Sequence, residues 1–140
     1  VMGVEKKSDK KEPLVIPELD DRSFGSVVEG HDHPVAVMFY SPTCPHCRTI
    51  EPFFREYAGY FRDSVIFARF NVTTGTWTAE RLGVRGTPTF AVFCGGRPVQ
   101  QVVGAVYPAI LKRMIIEAIE HGAECLSSST ELKYEVTGYG

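Results

Sequence analysis

Cys44-Pro45-His46-Cys47, entered from the run Val35-Ala36-Val37-Met38-Phe39-Tyr40 and answered about forty residues later by Gly86-Thr87-Pro88-Thr89, is the stretch whose reading decides the fold. Six consecutive apolar residues read as a strand buried on both faces of a central sheet. From Cys47 the spacing changes. Ile50, Phe53, Phe54, Tyr57, Ala58 and Phe61 recur at three and four, which predicts an amphipathic helix to about Arg62, kinked by Pro52. Two thiols three positions apart at a helix start can close into a disulfide or open to a dithiol. That is redox chemistry carried by side chains alone.

Upstream, Leu14-Val15-Ile16 predicts a short strand, and Asp20 or Asp21 caps a helix to about Glu29 with Phe24, Val27 and Val28 as its apolar side. Gly30-His31-Asp32-His33-Pro34 reads as a loop. Downstream, Val65 to Phe70 predicts a second central strand, and Trp77 to Leu82 a short helix stopped by Gly83. Thr89 to Phe93 and Val99 to Val103 are strands joined by a Gly95-Gly96 turn, so they must be antiparallel. Pro108 opens a last helix with the stripe Leu111, Ile115 and Ala118 or Ile119, ending near Gly122. The alternation predicts an α/β fold: a mixed central sheet with helices on both faces.

One domain, residues 14–122, is expected in the 140-residue chain, with a Lys/Glu/Ser-rich leader over 1–13 and a polar, Gly-rich tail over 123–140. Leu132 to Val136 is weakly strand-like and is left unassigned. A net charge of −2 with basic and acidic residues interleaved, Lys6, Lys7, Lys10 and Lys11 included, argues against a nucleic-acid partner. No apolar run approaches the roughly 18–20 residues of a membrane helix, so a soluble protein is expected. Val1-Met2-Gly3-Val4 does not look like a native start and lacks the pattern of a secretory signal. A cytoplasmic location is favoured slightly, an extracytoplasmic one following if a signal or anchor has been removed. Four cysteines do not make a disulfide scaffold.

With Cys44 as N-cap, Pro45 falls at the first helical position, where its missing N–H costs nothing. The His46 and Cys47 amides then face the Cys44 sulfur, and the positive helix end favours its thiolate, in the range of roughly 3.5–7.5 for such sites. A protonated His46 adds charge nearby. Cys44 is the expected nucleophile and leaving group, and Cys47, one turn inside and more buried, the resolving thiol. A stabilised thiolate favours the reduced form and makes the disulfide a better oxidant. Against this stand an inert structural disulfide, a merely solvent-exposed His46, and half of a zinc site. Zinc finds no second pair, since Cys94 and Cys125 are single. His31 and His33 lack ligand company, so no metal is expected. Cys94 reads as a packed or half-exposed small residue, Cys125 as an idle thiol, and Trp77, Tyr40 and Phe93 as core or groove wall.

From about Leu14 to His121 the pattern resembles the thioredoxin family. The cysteines follow a buried strand, Pro52 stands where thioredoxins carry a kinking proline, Gly83-Val84-Arg85-Gly86-Thr87-Pro88-Thr89 resembles their cis-proline loop, and Gly95-Gly96 and Val103-Gly104 resemble the later hairpin and groove glycine. The resemblance implies a thioredoxin fold, a cis Thr87–Pro88 bond facing the cysteines, and pairing of the Thr87 backbone with an extended substrate chain. Thr43 and Gly104 join that substrate-binding set. Two positions depart from the family. Thr43 stands where thioredoxins usually have Trp, and Met38 where they carry a buried acid, which leaves no obvious group to accept the Cys47 proton. The Pro-His pair resembles oxidising disulfide enzymes, so an oxidant-leaning site is expected.

The reading is therefore a protein thiol–disulfide oxidoreductase without cofactor, a monomer, whose partners are protein substrates with disulfides or dithiols and a redox partner, reductase or oxidase. The alternatives are an extended-peptide-binding or chaperone-like module with little turnover, and metal or iron–sulfur binding through the Cys44 and Cys47 of two chains.

Overall fold

The computed structural model of the protein describes residues 14–29, 33–104 and 106–121. The expected leader and tail, most of the Gly30–Pro34 loop, Leu132 to Val136 and Cys125 lie outside the described residues.

Strand β2 (Val35–Tyr40) is buried at every residue but the last. It runs parallel to β3 (Ile66–Asn71), with Val35 opposite Ile66 and Tyr40 opposite Asn71. On its other side β4 (Thr89–Cys94) is antiparallel, Phe39 facing Thr89 and Val35 facing Phe93. The chain thus leaves β2 at the end where β4 begins. β5 (Arg97–Val103) returns along β4 through Gly95 and Gly96, whose φ values of +60° and +89° suit glycine alone. Pairing begins at Arg97 rather than Val99, because a register shift at Val92/Phe93 lets Pro98 oppose Phe93. Pro98 is tolerated there because β5 is an edge strand.

The expected strand at Leu14-Val15-Ile16 is displaced. Arg69 donates its amide to the Pro17 carbonyl at 2.9 Å, and β1 is Glu18–Leu19, parallel to Arg69-Phe70. Leu14 and Ile16 pack their side chains on the core without pairing their backbone in the sheet. The sheet order is β1-β3-β2-β4-β5.

Helix α1 (Phe24–Glu29) follows Asp20, whose carboxylate accepts the Ser23 and Arg22 amides at 2.8 and 3.0 Å. Asp21 reaches instead to the Thr78 amide, 2.9 Å away in α3 (Thr76–Arg81). Helix α2 (Pro45–Tyr60) runs through Pro52. Helix α4 (Pro108–Glu120) buries Leu111, Met114, Ile115 and Ala118. The core has two halves, one on each face of the sheet: α2 and α4 cover Ala36, Met38, Phe67, Phe90 and Val92, whereas α1 covers Val35, Val37, Phe39, Ala68, Phe70, Ala91 and Phe93.

Candidate active site

Four residues after β2, Cys44 takes an extended backbone (φ −86°, ψ 116°) and caps α2. Proline at the next position fits because its nitrogen falls among the unpaired donors of the first turn. The Cys47 amide donates to Cys44 Sγ at 3.2 Å, the hydrogen bond that a capping side chain makes. The preceding Ser41-Pro42-Thr43 turn is closed by the Cys44 amide on the Ser41 carbonyl at 3.1 Å, and the Ser41 and Thr43 hydroxyls lie 3.2 Å apart. Arg48 braces it from the helix, donating to the Pro42 carbonyl at 3.2 Å.

The antiparallel β2–β4 pairing carries the second half of the site to the first. Thr87–Pro88 is cis, and the Thr87 carbonyl lies 3.5 Å from Cys44 Sγ, which donates to it as a thiol. Two bonds hold this loop: Thr89 Oγ1 to the Gly86 carbonyl at 2.7 Å, and the Gly104 amide to the Pro88 carbonyl at 2.8 Å. Gly104 has a φ of +98°, so its loop turns beside Pro88 at the end of β5. Cys44, Cys47, Thr87, Pro88 and Gly104 are thus gathered at one end of the sheet. Thr43 and His46 stand exposed at its rim.

Cys44 and Cys47 are both free thiols, but their environments differ. Cys44 is partly exposed and Cys47 only 3% so. Burial pushes the Cys44 thiol upward, yet hydrogen bonding with Cys47 and Thr87 and the amides of Cys47 and His46 outweigh it and hold it below its ordinary value. Burial, reinforced by the bond with Cys44, raises Cys47. Hydrogen bonding thus lowers one thiol, and burial raises the other.

This is the arrangement of a known family, whose model, described as Thioredoxin, matches residues 15–117. The chain belongs to the thioredoxin family. A thioredoxin of Alicyclobacillus acidocaldarius is 37% identical over 86 residues, spanning 61% of this chain and 81% of its own. A Synechocystis thioredoxin is 36% identical over 90 residues, 64% of this chain and 84% of its own. Thioredoxin 1 of Nostoc is 32% identical over 98 residues, 70% and 92% of the two chains. This thioredoxin-family chain is a protein thiol–disulfide oxidoreductase. Among the described residues, no helix is long and apolar enough to cross a membrane.

Two sequence expectations need correction. Cys94 is packed, as expected, but as half of a disulfide and not as a free small residue. It ends β4, whose other end starts at the cis-proline, so this sulfur is a strand length removed from Cys44. Trp77 is neither core nor groove wall. It is 60% exposed on α3, with the Arg81 guanidinium 4.8 Å above its ring, because the buried side of that short helix is taken by Thr78 and Ala79.

The sequence reading also passed over a polar cluster under α2. Arg69 lies between Glu18 (3.8 Å) and Glu51 (3.4 Å), with its guanidinium 4.3 Å from the centre of the Tyr40 ring. The Tyr40 hydroxyl donates to Glu18, and burial and that carboxylate push the phenol up to about 12. Arg69 was legible as the charge interrupting an apolar strand, and Glu51 as an acid beside the apolar stripe of α2. Their meeting depends on long-range register.

Proposed function

We propose that Cys44 is the nucleophile and Cys47 the resolving thiol of this oxidoreductase. The observation that carries this is the Cys47 amide on Cys44 Sγ at 3.2 Å, at the N-terminus of a sixteen-residue helix. The Cys44 thiolate attacks one sulfur of a protein disulfide; the mixed disulfide forms and the other substrate sulfur leaves as a thiolate. Deprotonated Cys47 then attacks Cys44 Sγ, the mixed disulfide breaks, and the second substrate sulfur departs. Two electrons have passed to the substrate, and the chain holds a Cys44–Cys47 disulfide. The reverse sequence oxidises a substrate dithiol.

His46 and Pro45 shape the nucleophile, the first by charge when protonated and the second by fixing the helix start. The Thr87 backbone, beside Pro88 and flanked by Thr43 and Gly104, pairs with an extended substrate segment across the thiol. The partner that resets the couple after it has reduced a substrate is a reductase. A Mycobacterium leprae relative named bifunctional thioredoxin reductase/thioredoxin, 32% identical over 112 residues, supports that choice. The low Cys44 thiol favours the dithiol form and an oxidant-leaning potential.

Insulin reduction with Cys44→Ser tests the assignment: turnover should vanish, whereas activity equal to wild type would overturn it. The potential of the couple decides direction. A value near about −270 mV would mark a reductant and overturn the oxidant leaning, and one near about −120 to −180 mV would uphold it.

A further inference from the structure

Resolution requires Cys47 to lose a proton, and its surroundings oppose that. Cys47 is buried among Met38, Ile50 and Phe54, and the strands present Ala36, Met38, Phe67, Phe90 and Val92 to the same core. Arg69 is the one charged residue that β2, β3 and β4 place on this face. It shares this face with Phe67, two residues before it, and pairs in register with Met38, near the end of the sheet where the chain departs toward Cys44. Above it stands Glu51, four residues beyond Cys47 on α2, so the two side chains are neighbours along one side of the helix.

The stripe Cys47, Ile50, Phe54, Tyr57 and Ala58 is buried, and Glu51 borders it with 26% of its side chain exposed. A carboxylate beside an apolar stripe must be matched by a cation or by water. Arg69 Nη1 lies 3.4 Å from Glu51 Oε2, and Arg55, one turn further along α2, donates to the same oxygen at 3.1 Å. Arg69 is itself only 19% exposed and is steadied by Glu18 and the Tyr40 ring. The carboxylate is therefore fixed rather than swinging free.

We propose that Glu51 accepts the Cys47 proton during resolution, directly or through one water, and that Arg69 is the positioning residue that holds Glu51 for it. This deepens, and rests on, the assignment of Cys47 as the resolving thiol. Cβ atoms four apart on a helix are about 5–6 Å from each other, within reach of a carboxylate or of one intervening water. The step balances: the S–H proton passes to Glu51, the freed electron pair forms the Cys47–Cys44 bond, and the substrate sulfur leaves with the electrons of the broken bond. The other groups facing Glu51 suit the task less well. Tyr40 already donates to Glu18, Glu18 is held by Tyr40 and Arg69 on β1, and Arg69 and Arg55 are cations. His46 is exposed at the rim, on a residue adjacent to rather than one turn from Cys47.

The test is single-turnover reaction of the reduced protein with dithiobis(nitrobenzoate). The first released thiolate reports Cys44 attack and the second reports resolution by Cys47. In Glu51→Gln, which keeps shape and removes the basic oxygen, the first phase should be unchanged and the second slowed at least about tenfold near neutral pH, with the deficit closing as alkali ionises Cys47 directly. Glu51→Asp should restore part of the rate. Equal slowing by Gln and Asp at every pH, or no slowing by Gln, would overturn the proposal. Loss of the first phase in the wild-type protein would instead overturn the assignment of Cys44. Should Glu51→Gln melt below the assay temperature, Arg69→Lys, which keeps the charge and loses the fork, is read in its place. It should slow only the second phase, and an unchanged second phase would count against the idea.

Discussion

The two faces of one sheet are built from alternate residues of the same strands and have been given opposite tasks. Toward α1, β2 presents Val35, Val37 and Phe39, and every member of that half of the core is apolar. Phe24 stands at its centre with ring centroids 6.2, 5.8 and 5.4 Å from Phe39, Phe70 and Phe93. Toward α2, the intervening positions of the same strands bring Met38, Tyr40 and Arg69 under the cysteines. A period of two therefore separates a closed aromatic cluster from a face that carries thiols, a carboxylate and a guanidinium. Stability can be concentrated where no chemistry is needed.

The largest way to break that separation is Phe39→Ala. Phe39 is wholly buried against Phe24 and Phe70, and its loss should cost about 3–5 kcal/mol in denaturant unfolding. The thiolate absorbance titration of Cys44, on the other face, should keep its midpoint in the folded variant. A shifted midpoint would show that the faces are coupled.

A smaller effect on the same face is expected of Gly75→Ala. Gly75 precedes α3, and a Cβ built there would overlap the Phe70 ring, which cannot yield because Phe24 and Phe39 pack against it. Overpacking of this kind costs about 1–3 kcal/mol. Insulin reduction by the folded variant should equal wild type. Unchanged stability would mean that the aromatic cluster is looser than its ring contacts imply.

The features legible in the sequence were those set by local rules. The run Val35–Tyr40, the glycine pair at Gly95 and Gly96, and the Cys-Pro capping geometry each follow from a few neighbouring residues, and each stands where expected. Resemblance added the cis Thr87–Pro88 bond and its place opposite Cys44. What could not be read depends on distant pairing. β1 starts at Glu18 because the Pro17 carbonyl meets the Arg69 amide, and Glu51 matters because register brings Arg69 beneath it. Asp20 and Asp21 look interchangeable as caps in sequence. One serves the turn leading into α1, and the other crosses to Thr78.

That difference yields the smallest of these effects, visible only in acid. Both carboxyls are held below the ordinary value, Asp20 by the Ser23 amide and hydroxyl, and Asp21 by hydrogen bonding with Thr78. A carboxyl whose native pKa is depressed adds stability that is present above its unfolded value of about 3.9 and is lost as pH falls through the native value. Melting temperature should therefore decline below about pH 4. Asp21→Asn removes the titrating charge while keeping an acceptor for the Thr78 amide, so its acid limb should be flatter than that of wild type and its neutral stability slightly lower. Asp20→Asn should flatten the limb as well, but by loosening only the turn into α1, whereas Asp21 ties that turn to α3. Parallel acid limbs for wild type and both variants would mean that neither cap titrates with folding, and that the α1 face is held by its aromatic rings without help from its charged rim.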